Sequence, residues 1–451
     1  MTKPRVRKFG TYAAKFAIIL FGIFPTVLKA AETPSVSLLA LSKAEQTLSI
    51  IDPTTLTVLA RVPAGPDPHE VIASDDGKFA YISNYGGGAY NTITVVDLMA
   101  QKTLPVIDLG ALRGPHGLAY AGGKLWFTAE AAKAIGSYDP TTKKIDWILG
   151  TGQDRTHMIY VFPGLNPIVT SNVNSATITI IEKSNGPTGP AGAPPRPGPR
   201  TNWTETVIPV GKGSEGFDVS TETKEIWVAN AQDGTISVID LAAQKVVQTL
   251  DANVRGANRV KFTPDGKLAF VSSLGGPDLV IFNVPTRKET KRVPIGHGAA
   301  GILMQPDGQR AYVSCTPDDY IGVIDLKSLT ITGKINAGKQ PDGLGRSQIT
   351  PIVCSLKPLN LRRSLRQRHR IRPKARRRMH QFHNVAYRHH KFIQLRSRSH
   401  QRRRYLQHHE VIPANLRQNI FIAKHSHHHN LSKHRRMNLH EHFKRRLQHQ
   451  L

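Results

Sequence analysis

A sequence repeat with a period of 42 to 45 residues is the feature that most constrains the fold of this chain. An aromatic residue within a short apolar segment marks its phase, and Tyr81 and Trp126 lie 45 residues apart. The intervals from Trp227 to Phe270 and on to Tyr312 are 43 and 42 residues. Each unit contains alternating apolar and polar residues and turns such as "PDGK", which indicate short β-strands.

The period predicts a β-propeller, because four short strands per unit of 40 to 45 residues are typical of one blade. The segments "AYISNYG", "IWVANAQDGTISVIDL" and "AYVSCTPDDYIGVIDL" resemble the YVTN-type propeller repeat, over roughly residues 36–345. This resemblance implies an all-β fold, a seven-bladed β-propeller with four-stranded antiparallel blades. It says little about function, because propellers include enzymes, binding proteins and scaffolds.

The inner strand of each blade is expected to begin after a tight polar loop, and seven such starts are present. They are "HEVIA" (69–73), "HGLAY" (116–120), "HMIYV" (157–161), "EGFDV" (215–219), "NRVKF" (258–262), "AGILM" (300–304) and "DGLGR" (342–346). The N-terminal part of the repeat region supplies only three strands. We therefore expect the strand after Asp342 to complete the first blade and close the ring.

The first residues of the seven starts are expected to surround one mouth of the central channel. Imidazole and carboxylate groups that converge on a concave site suit a divalent metal ion or a polar ligand. The candidate metal ligands are His69, His116 and His157. The candidate ligand-binding residues are Glu215, Asn258, His297 and Asp342. The alternative is that these polar side chains satisfy loop backbone groups and line a wet channel.

The positive charge of the chain is concentrated in its last 106 residues. The whole chain carries a net charge of +29, and from Arg346 onward 27 Lys and Arg face two acidic residues, a net charge of +25. The tail also holds 16 of the 20 histidines, whereas all 37 glycines precede it. This change in composition at Arg346 falls inside the expected closing strand.

Two interpretations of residues 346–451 follow. The tail is either an out-of-frame reading, from a frameshift or a sequence error, or a genuine disordered basic segment that binds nucleic acid or another anionic surface. If the tail is genuine, we expect a frayed first blade with an exposed strand edge, because Arg346 stands where the other inner strands carry a packing residue.

The first 31 residues have the layout of a secretory signal peptide. Basic residues at positions 3–8 precede an apolar run at 16–28 and two alanines at 30 and 31. The run is short for a membrane span, although a signal anchor that is never cleaved is the alternative. We therefore predict a periplasmic or secreted protein without a membrane span. Residues 185–200 are expected to form a Pro/Gly-rich loop insertion, and two cysteines give no disulfide framework.

Three functional hypotheses follow. The first is a non-enzymatic exported propeller that binds a protein partner or a small ligand at its channel mouth. The second rests on the resemblance, since similar seven-bladed propellers include lactonases and lyases that act through His and carboxylate residues, sometimes with a metal ion. Its candidates, one of them serving as general base, are His69, His116, His157, His297 and Glu215. The third is polyanion binding through the tail. No cofactor is indicated beyond a possible divalent metal ion.

Overall fold

The structure, a computed structural model, describes residues 32–184, 202–220 and 222–350. These residues form seven four-stranded antiparallel sheets, which is the propeller architecture expected from the repeat. The predicted signal peptide, the predicted loop insertion and the tail beyond residue 350 lie outside the described residues. Among the helices of the described part, none is long and apolar enough to cross a membrane.

All but one strand of the first three blades come from the N-terminal third of the chain. The first blade contains β1 (Val36–Ser42), β2 (Thr47–Asp52) and β3 (Thr57–Pro63). The second contains β4 (Pro68–Ala73), β5 (Phe79–Asn84), β6 (Thr92–Asp97) and β7 (Lys102–Asp108). The third contains β8 (Pro115–Ala121), β9 (Lys124–Ala129), β10 (Ala134–Asp139) and β11 (Lys144–Gly150).

The remaining four blades repeat the same order of an inner strand followed by three outer strands. The fourth contains β12 (Thr156–Val161), β13 (Ile168–Asn172), β14 (Thr177–Ser184) and β15 (Asn202–Pro209). The fifth contains β16 (Ser214–Ser220), β17 (Glu225–Asn230), β18 (Thr235–Asp240) and β19 (Lys245–Asp251). The sixth contains β20 (Ala257–Phe262), β21 (Leu268–Ser273), β22 (Asp278–Asn283) and β23 (Lys288–Pro294). The seventh contains β24 (Ala299–Met304), β25 (Arg310–Cys315), β26 (Tyr320–Asp325) and β27 (Thr330–Ile335). Short 3₁₀ turns follow some strands, at Gly86–Gly88, Glu130–Ala132, Pro163–Leu165 and Thr316–Asp318.

The ring closes through the last described strand, β28 (Pro341–Gln348). β28 pairs antiparallel with β1, so the first blade contains strands from both ends of the repeat region, as predicted. The inner strands β4, β8, β12, β16, β20, β24 and β28 contact one another in that order, and β28 contacts β4. Seven inner strands therefore surround one central channel.

β28 continues past the compositional break. Its register pairs residues 346–348 with residues 36–38 of β1. Arg346 is half-buried, and its Nη2 donates a hydrogen bond to Gln348 Oε1 at 2.6 Å. The expectation of a frayed first blade is therefore wrong, because the first residues of the basic segment complete the closing strand.

The apolar core lies between the faces of neighbouring blades. The aromatic residues that mark the repeat are each at most 3% exposed, and they are Tyr81, Trp126, Trp227, Phe270 and Tyr312. Burying one such side chain is favourable by about 1.5–3 kcal/mol. Cys315 is a buried free thiol, and Cys354 lies outside the described residues. Core burial therefore holds the described blades together.

A repeated hydroxyl group fixes the start of four inner strands against the neighbouring blade. Thr128 Oγ1 of β9 donates to the backbone oxygen of His157 at 2.8 Å, and Ser171 Oγ of β13 donates to that of Glu215 at 2.6 Å. The equivalent pairs in later blades are Ser272 with Ala300 and Ser314 with Asp342. Each hydroxyl bond holds the second residue of an inner strand, which is a channel-mouth position.

Glycine at the position directly after the channel-mouth residue, the third of the inner strand, allows neighbouring inner strands to approach closely. A Cβ atom added there would lie within 3.0 Å of a backbone oxygen of the next inner strand, at Gly117, Gly216, Gly301 and Gly343. The other blades carry larger residues at this position, among them Glu70 and Arg259, whose side chains extend into the channel.

Candidate functional site at the channel mouth

All seven predicted mouth positions line one cavity of about 480 Å³, which we call the channel-mouth cavity. They are His69, His116, His157, Glu215, Asn258, Ala300 and Asp342. Each is the second residue of its inner strand, so the sevenfold repeat brings chemically different side chains to the same height of the channel. The sequence prediction of their convergence is therefore matched by the geometry.

His297 is placed differently from the other predicted residues. Its side chain is 74% exposed, and its Nδ1 lies 3.2 Å from Asp318 Oδ1. It does not line the channel-mouth cavity, because it precedes β24 in the connecting loop. The geometry therefore gives no support to His297 as a ligand-binding residue.

Three imidazole rings lie side by side in the mouth. The ring centroids of His116 and His157 are 3.8 Å apart, and those of His69 and His116 are 4.9 Å apart. The ring of Tyr85 meets His116 edge to face at 5.1 Å. His116 and His157 are 3% and 2% exposed, so their protonation depends on the neighbouring protein groups and little on bulk water.

His157 is held between two carboxylates. Its Nε2 lies 2.9 Å from Glu215 Oε2, and its Nδ1 contacts Glu130 Oε1. Burial disfavours the charged imidazole, but the two carboxylates outweigh burial and raise the pKa of His157. The pKa of Glu215 is lowered to about 2, because the cations around it, His157 first, outweigh the effect of burial. The two carboxylates therefore hold the two ring nitrogens of His157, one on each side.

Glu130 is a member of the site that the sequence reasoning missed. Its carboxylate is 5% exposed. Its Oε2 accepts a hydrogen bond from the Tyr85 hydroxyl at 2.5 Å and lies 3.4 Å from Arg155 Nε. Burial opposes its charge, but the bonds to His157 and Tyr85 and the charge of Arg155 lower the pKa of Glu130.

The missed residues come from a second repeat position. Glu130 and Tyr85 each directly follow the second strand of a blade, as does Lys43 in the first blade. The segment "KLWFTAE", which marks the repeat, ends at Glu130. A comparison of the residues that follow these segments across the blades would have revealed the position.

His116 differs electrostatically from His157. Burial first, and then the positive charge of neighbouring groups including His157, holds the pKa of His116 well below its usual range. His116 is therefore a neutral imidazole at neutral pH. Its Nδ1 is buried without a hydrogen-bond partner among the described residues. An unpaired buried polar atom costs about 1–3 kcal/mol, so this nitrogen is available to a ligand.

His69 belongs to a separate group of charges at the mouth. Lys43 Nζ lies 2.8 Å from His69 Nδ1, 3.3 Å from Asp67 Oδ1 and 3.4 Å from Asp342 Oδ2. Burial is the main cause that lowers the pKa of His69, with Lys43 acting in the same direction. His69 is therefore a neutral imidazole held by a cation.

An ion pair joins the inner strands of two blades that are not neighbours in the ring. Arg259 Nη2 of β20 contacts Glu70 Oε1 of β4, which belong to the sixth and second blades. Arg259 is 8% exposed, and its Nη1 is buried without a hydrogen-bond partner among the described residues. Arg259 also lines the channel-mouth cavity. One nitrogen of this guanidinium group, at the wall of the cavity, therefore lacks a partner.

The backbone before each inner strand is left-handed. Four blades place glycine there, whereas the other three place Asp67, Arg155 and Gln340 at φ of 42°, 58° and 52°. A bulky residue at such a φ is unfavourable and needs compensation. For Arg155 the compensation is electrostatic, because its Nη1 lies 3.4 Å from Glu215 Oε1 and its Nε faces Glu130.

One group of described side chains has the spacing of metal ligands. One candidate ligand atom from each of His116, Glu130 and His157 lies within 4.8 Å of the others. His69 is not part of this group, although the sequence analysis named it with the other two histidines. The geometry therefore replaces His69 with Glu130 as the third candidate ligand.

A larger groove of about 970 Å³ lies between the second and third blades. Its walls include Phe79, Tyr81, Tyr120 and Tyr138. The Tyr81 and Tyr120 rings stack at 5.7 Å. This groove lacks a convergent set of imidazole and carboxylate groups, so the channel-mouth cavity is the better candidate site.

Comparison with known proteins supports the fold alone. No protein-family model and no curated protein matches the sequence. Hydrazine synthase from Kuenenia stuttgartiensis is 17% identical over 61% of this chain and 88% of that chain, with a TM-score of 0.50. A protein of unknown function from Desulfotomaculum acetoxidans is 12% identical over 70% of this chain and 99% of that chain, with a TM-score of 0.56. A candidate 6-phosphogluconolactonase from Bacteroides fragilis is 16% identical over 70% and 99%, with a TM-score of 0.54.

The channel mouth of this seven-bladed propeller therefore combines three kinds of chemical group. His116 is a neutral imidazole, and His157 is an imidazole held between ionised carboxylates. Arg259 offers an unpaired guanidinium nitrogen. Such a set can bind an anion, hold a cation or transfer a proton.

Proposed function

We propose that the protein is an exported, YVTN-type propeller that binds a small polar ligand carrying an anionic group in the channel-mouth cavity. The observation that carries the proposal is the unpaired Nη1 of the buried Arg259 side chain. A buried guanidinium group is costly unless its donors are paired, and carboxylates and phosphates are its preferred partners.

The size and lining of the cavity favour a small molecule over a protein surface. A volume of about 480 Å³ lies within the range of small-molecule sites. The polar groups His116, His157 and Arg259 are recessed, since each is less than one-tenth exposed. Leu274 and Pro317 at the same cavity add apolar surface. A protein partner would need a protruding side chain to reach these groups.

Titration calorimetry with phosphate, acetate and malonate tests this proposal. Arg259→Lys keeps a positive charge opposite Glu70, which avoids leaving a buried charge unpaired. It removes the second guanidinium nitrogen, so we expect affinity for the recognised anion to fall about tenfold or more. Arg255→Lys makes the same change at an exposed position of the same blade and should bind as the wild type does.

The wild type, Arg259→Lys and Arg255→Lys all carry the same tail. Any anion binding by the tail therefore contributes equally to the three measured affinities and does not affect their comparison. Equal affinities in the wild type and Arg259→Lys for every anion tested would contradict the proposal. Binding of a protein partner with no small-anion binding would support the protein-partner alternative.

A second candidate function is metal-assisted hydrolysis or elimination of the lactonase or lyase kind. The His116, Glu130 and His157 group favours it, and the fold likeness to a candidate lactonase is consistent with it. Hydrolysis of a lactone panel by the wild type but not by Glu130→Gln would support catalysis. Equal rates for the two proteins would exclude catalysis by this group.

Export of the protein and polyanion binding through its tail are two further hypotheses. A periplasmic or secreted location is proposed from the layout of residues 1–31. Polyanion binding through residues 346–451 requires that the native protein contain them. The intact mass of the protein from its own host decides both, because it reports signal cleavage and tail length.

A further inference from the structure

The closeness of two imidazoles and one carboxylate suggests a use beyond anion binding. His116, Glu130 and His157 are 3%, 5% and 2% exposed, and their candidate ligand atoms lie within 4.8 Å of one another. Two His and one Glu form a ligand set that Zn²⁺ uses when one coordination position stays open. Nitrogen and oxygen donors of this kind suit divalent transition metals of the zinc type.

The neighbours of these three groups are arranged as outer partners of a metal site would be. Glu215 Oε2 holds His157 Nε2 at 2.9 Å, which leaves Nδ1 on the side of Glu130. Tyr85 and Arg155 both hold Glu130 Oε2, which leaves Oε1 on the side of His157. Outer partners of this kind fix the orientation of metal ligands.

The unpartnered Nδ1 of His116 is an independent indication of a ligand. This atom is buried, and none of the described residues gives it a hydrogen bond. The ring is nevertheless held in place by contacts with His157 and Tyr85. A buried, oriented ring nitrogen that has no partner and lies beside another imidazole is well placed to coordinate a cation.

We propose that His116, Glu130 and His157 form a binding site for a divalent transition-metal ion of the zinc type, with its open position toward the channel-mouth cavity. Both histidines line that cavity, and Arg259 lines it as well. A cation and a guanidinium group then face the same space. The metal site does not depend on anion binding, and either proposal can fail without the other.

Equilibrium dialysis of the full chain against Zn²⁺ tests the site. Histidines of the tail are expected to take up zinc as well, so the informative quantity is the difference between proteins. We expect Glu130→Gln and His116→Gln each to hold one zinc ion fewer per chain than the wild type. His297→Ala removes an exposed histidine outside the cavity and should hold as much as the wild type.

A second readout separates loss of the site from loss of the fold. A metal that binds only the folded state raises the melting temperature. Zinc should therefore raise the melting temperature of the wild type and His297→Ala but not of Glu130→Gln or His116→Gln. Circular dichroism without zinc checks that all four proteins are folded. Equal zinc contents and equal shifts in all four would overturn the proposal, as they would indicate adventitious binding only.

The outer partner Glu215 provides a graded test. Glu215→Gln leaves the three ligands in place but weakens the hold on His157 Nε2. Loss of an outer partner typically lowers metal affinity about 10–100-fold without removing the site. We expect zinc stoichiometry to persist in Glu215→Gln with a dissociation constant raised by that factor. An unchanged dissociation constant would contradict the role assigned to Glu215.

Discussion

Ser171 shows how a single hydroxyl group positions a functional side chain. Its Oγ accepts a hydrogen bond from the Met158 backbone N–H at 3.2 Å and donates to the Glu215 backbone oxygen at 2.6 Å. It therefore ties the inner strands of two blades beside the mouth. The equivalent residue of the fifth blade is Ala229, so the fold does not need the hydroxyl in every blade.

We expect Ser171→Ala to lower the free energy of unfolding by about 1–3 kcal/mol, because a buried N–H group and a buried carbonyl lose their partner. Urea unfolding of the wild type and the variant measures this difference. Ala229→Gly, a substitution at the equivalent position where no hydroxyl exists, controls for general sensitivity of the second strands. A change below about 0.5 kcal/mol in Ser171→Ala would show that the hydroxyl bond is dispensable.

The residues of the site differ in how far the sequence could predict them. His116, His157 and Glu215 were predictable, because one loop-to-strand position recurs in every blade. Glu130 was missed, because it belongs to a second repeat position, after the second strand of a blade, which carries another residue type in each blade. The pairing of Arg259 with Glu70 could not be inferred, since it joins residues 189 positions apart across the closed channel.

At the scale of whole strands, neighbouring inner strands pack closely against one another. Gly343 in β28 lies against the backbone oxygen of His69 in β4, where a Cβ atom would overlap it. This contact lies at the junction between the two ends of the repeat region. The identity of the residue at 343 therefore controls how closely the ring can close.

We expect Gly343→Ala to destabilise the protein by about 1–3 kcal/mol, the usual cost of overpacking, because the obstructing atoms belong to the backbone. Thermal and urea unfolding measure the effect. Gly150→Ala is the matched control, since a Cβ atom there would meet nothing within 4 Å and its φ is not left-handed. Equal stabilities of the two variants would contradict the packing argument.

The polar turns between the first two strands of the blades give the protein a predictable response to acid. In the sixth blade, Asp265 Oδ1 accepts hydrogen bonds from Thr263 Oγ1 at 2.7 Å and from the Lys267 N–H at 3.2 Å. The Thr263 bond is the largest cause that lowers the pKa of Asp265, and the bond and charge of Lys267 also contribute. The ionised form is therefore favoured in the folded state.

Because the pKa of Asp265 is lower in the folded than in the unfolded state, its carboxylate stabilises the fold above an unfolded value of about 3.9. This contribution is lost as the pH falls through the folded pKa. Asp265→Asn should therefore be less stable than the wild type at pH 7, and the difference should shrink below about pH 4. Urea unfolding between pH 7 and 3 measures it. A difference that stays constant over this range would contradict the assignment.

At the scale of the whole molecule, the period of the repeat determined most of what the sequence could predict. It predicted seven blades, four strands in each, and closure of the ring by a C-terminal strand. It did not predict that β28 would extend beyond Gly345, because composition changes abruptly at Arg346. Backbone pairing with β1 tolerates this change, since strand hydrogen bonds depend little on side-chain identity.

Truncation tests ring closure. A chain that ends at Thr350 keeps all of β28, and we expect it to unfold in one cooperative transition. A chain that ends at Gln340 lacks β28 and exposes the edge of β1, so it should lose cooperativity and aggregate. Circular dichroism and light scattering during heating distinguish these behaviours. Identical, cooperative melting of the two chains would show that β28 is not needed for closure.

A crystal structure of the protein soaked with phosphate would test the central claim most directly. The account predicts a ring closed by β28, with the side chains of His116, Glu130, His157 and Glu215 gathered at one mouth. It also predicts Arg259 across the channel from Glu70, with a phosphate oxygen bound to Nη1. Phosphate bound elsewhere while the mouth holds only water, or a mouth filled by its own side chains, would contradict the claim that this cavity is the functional site.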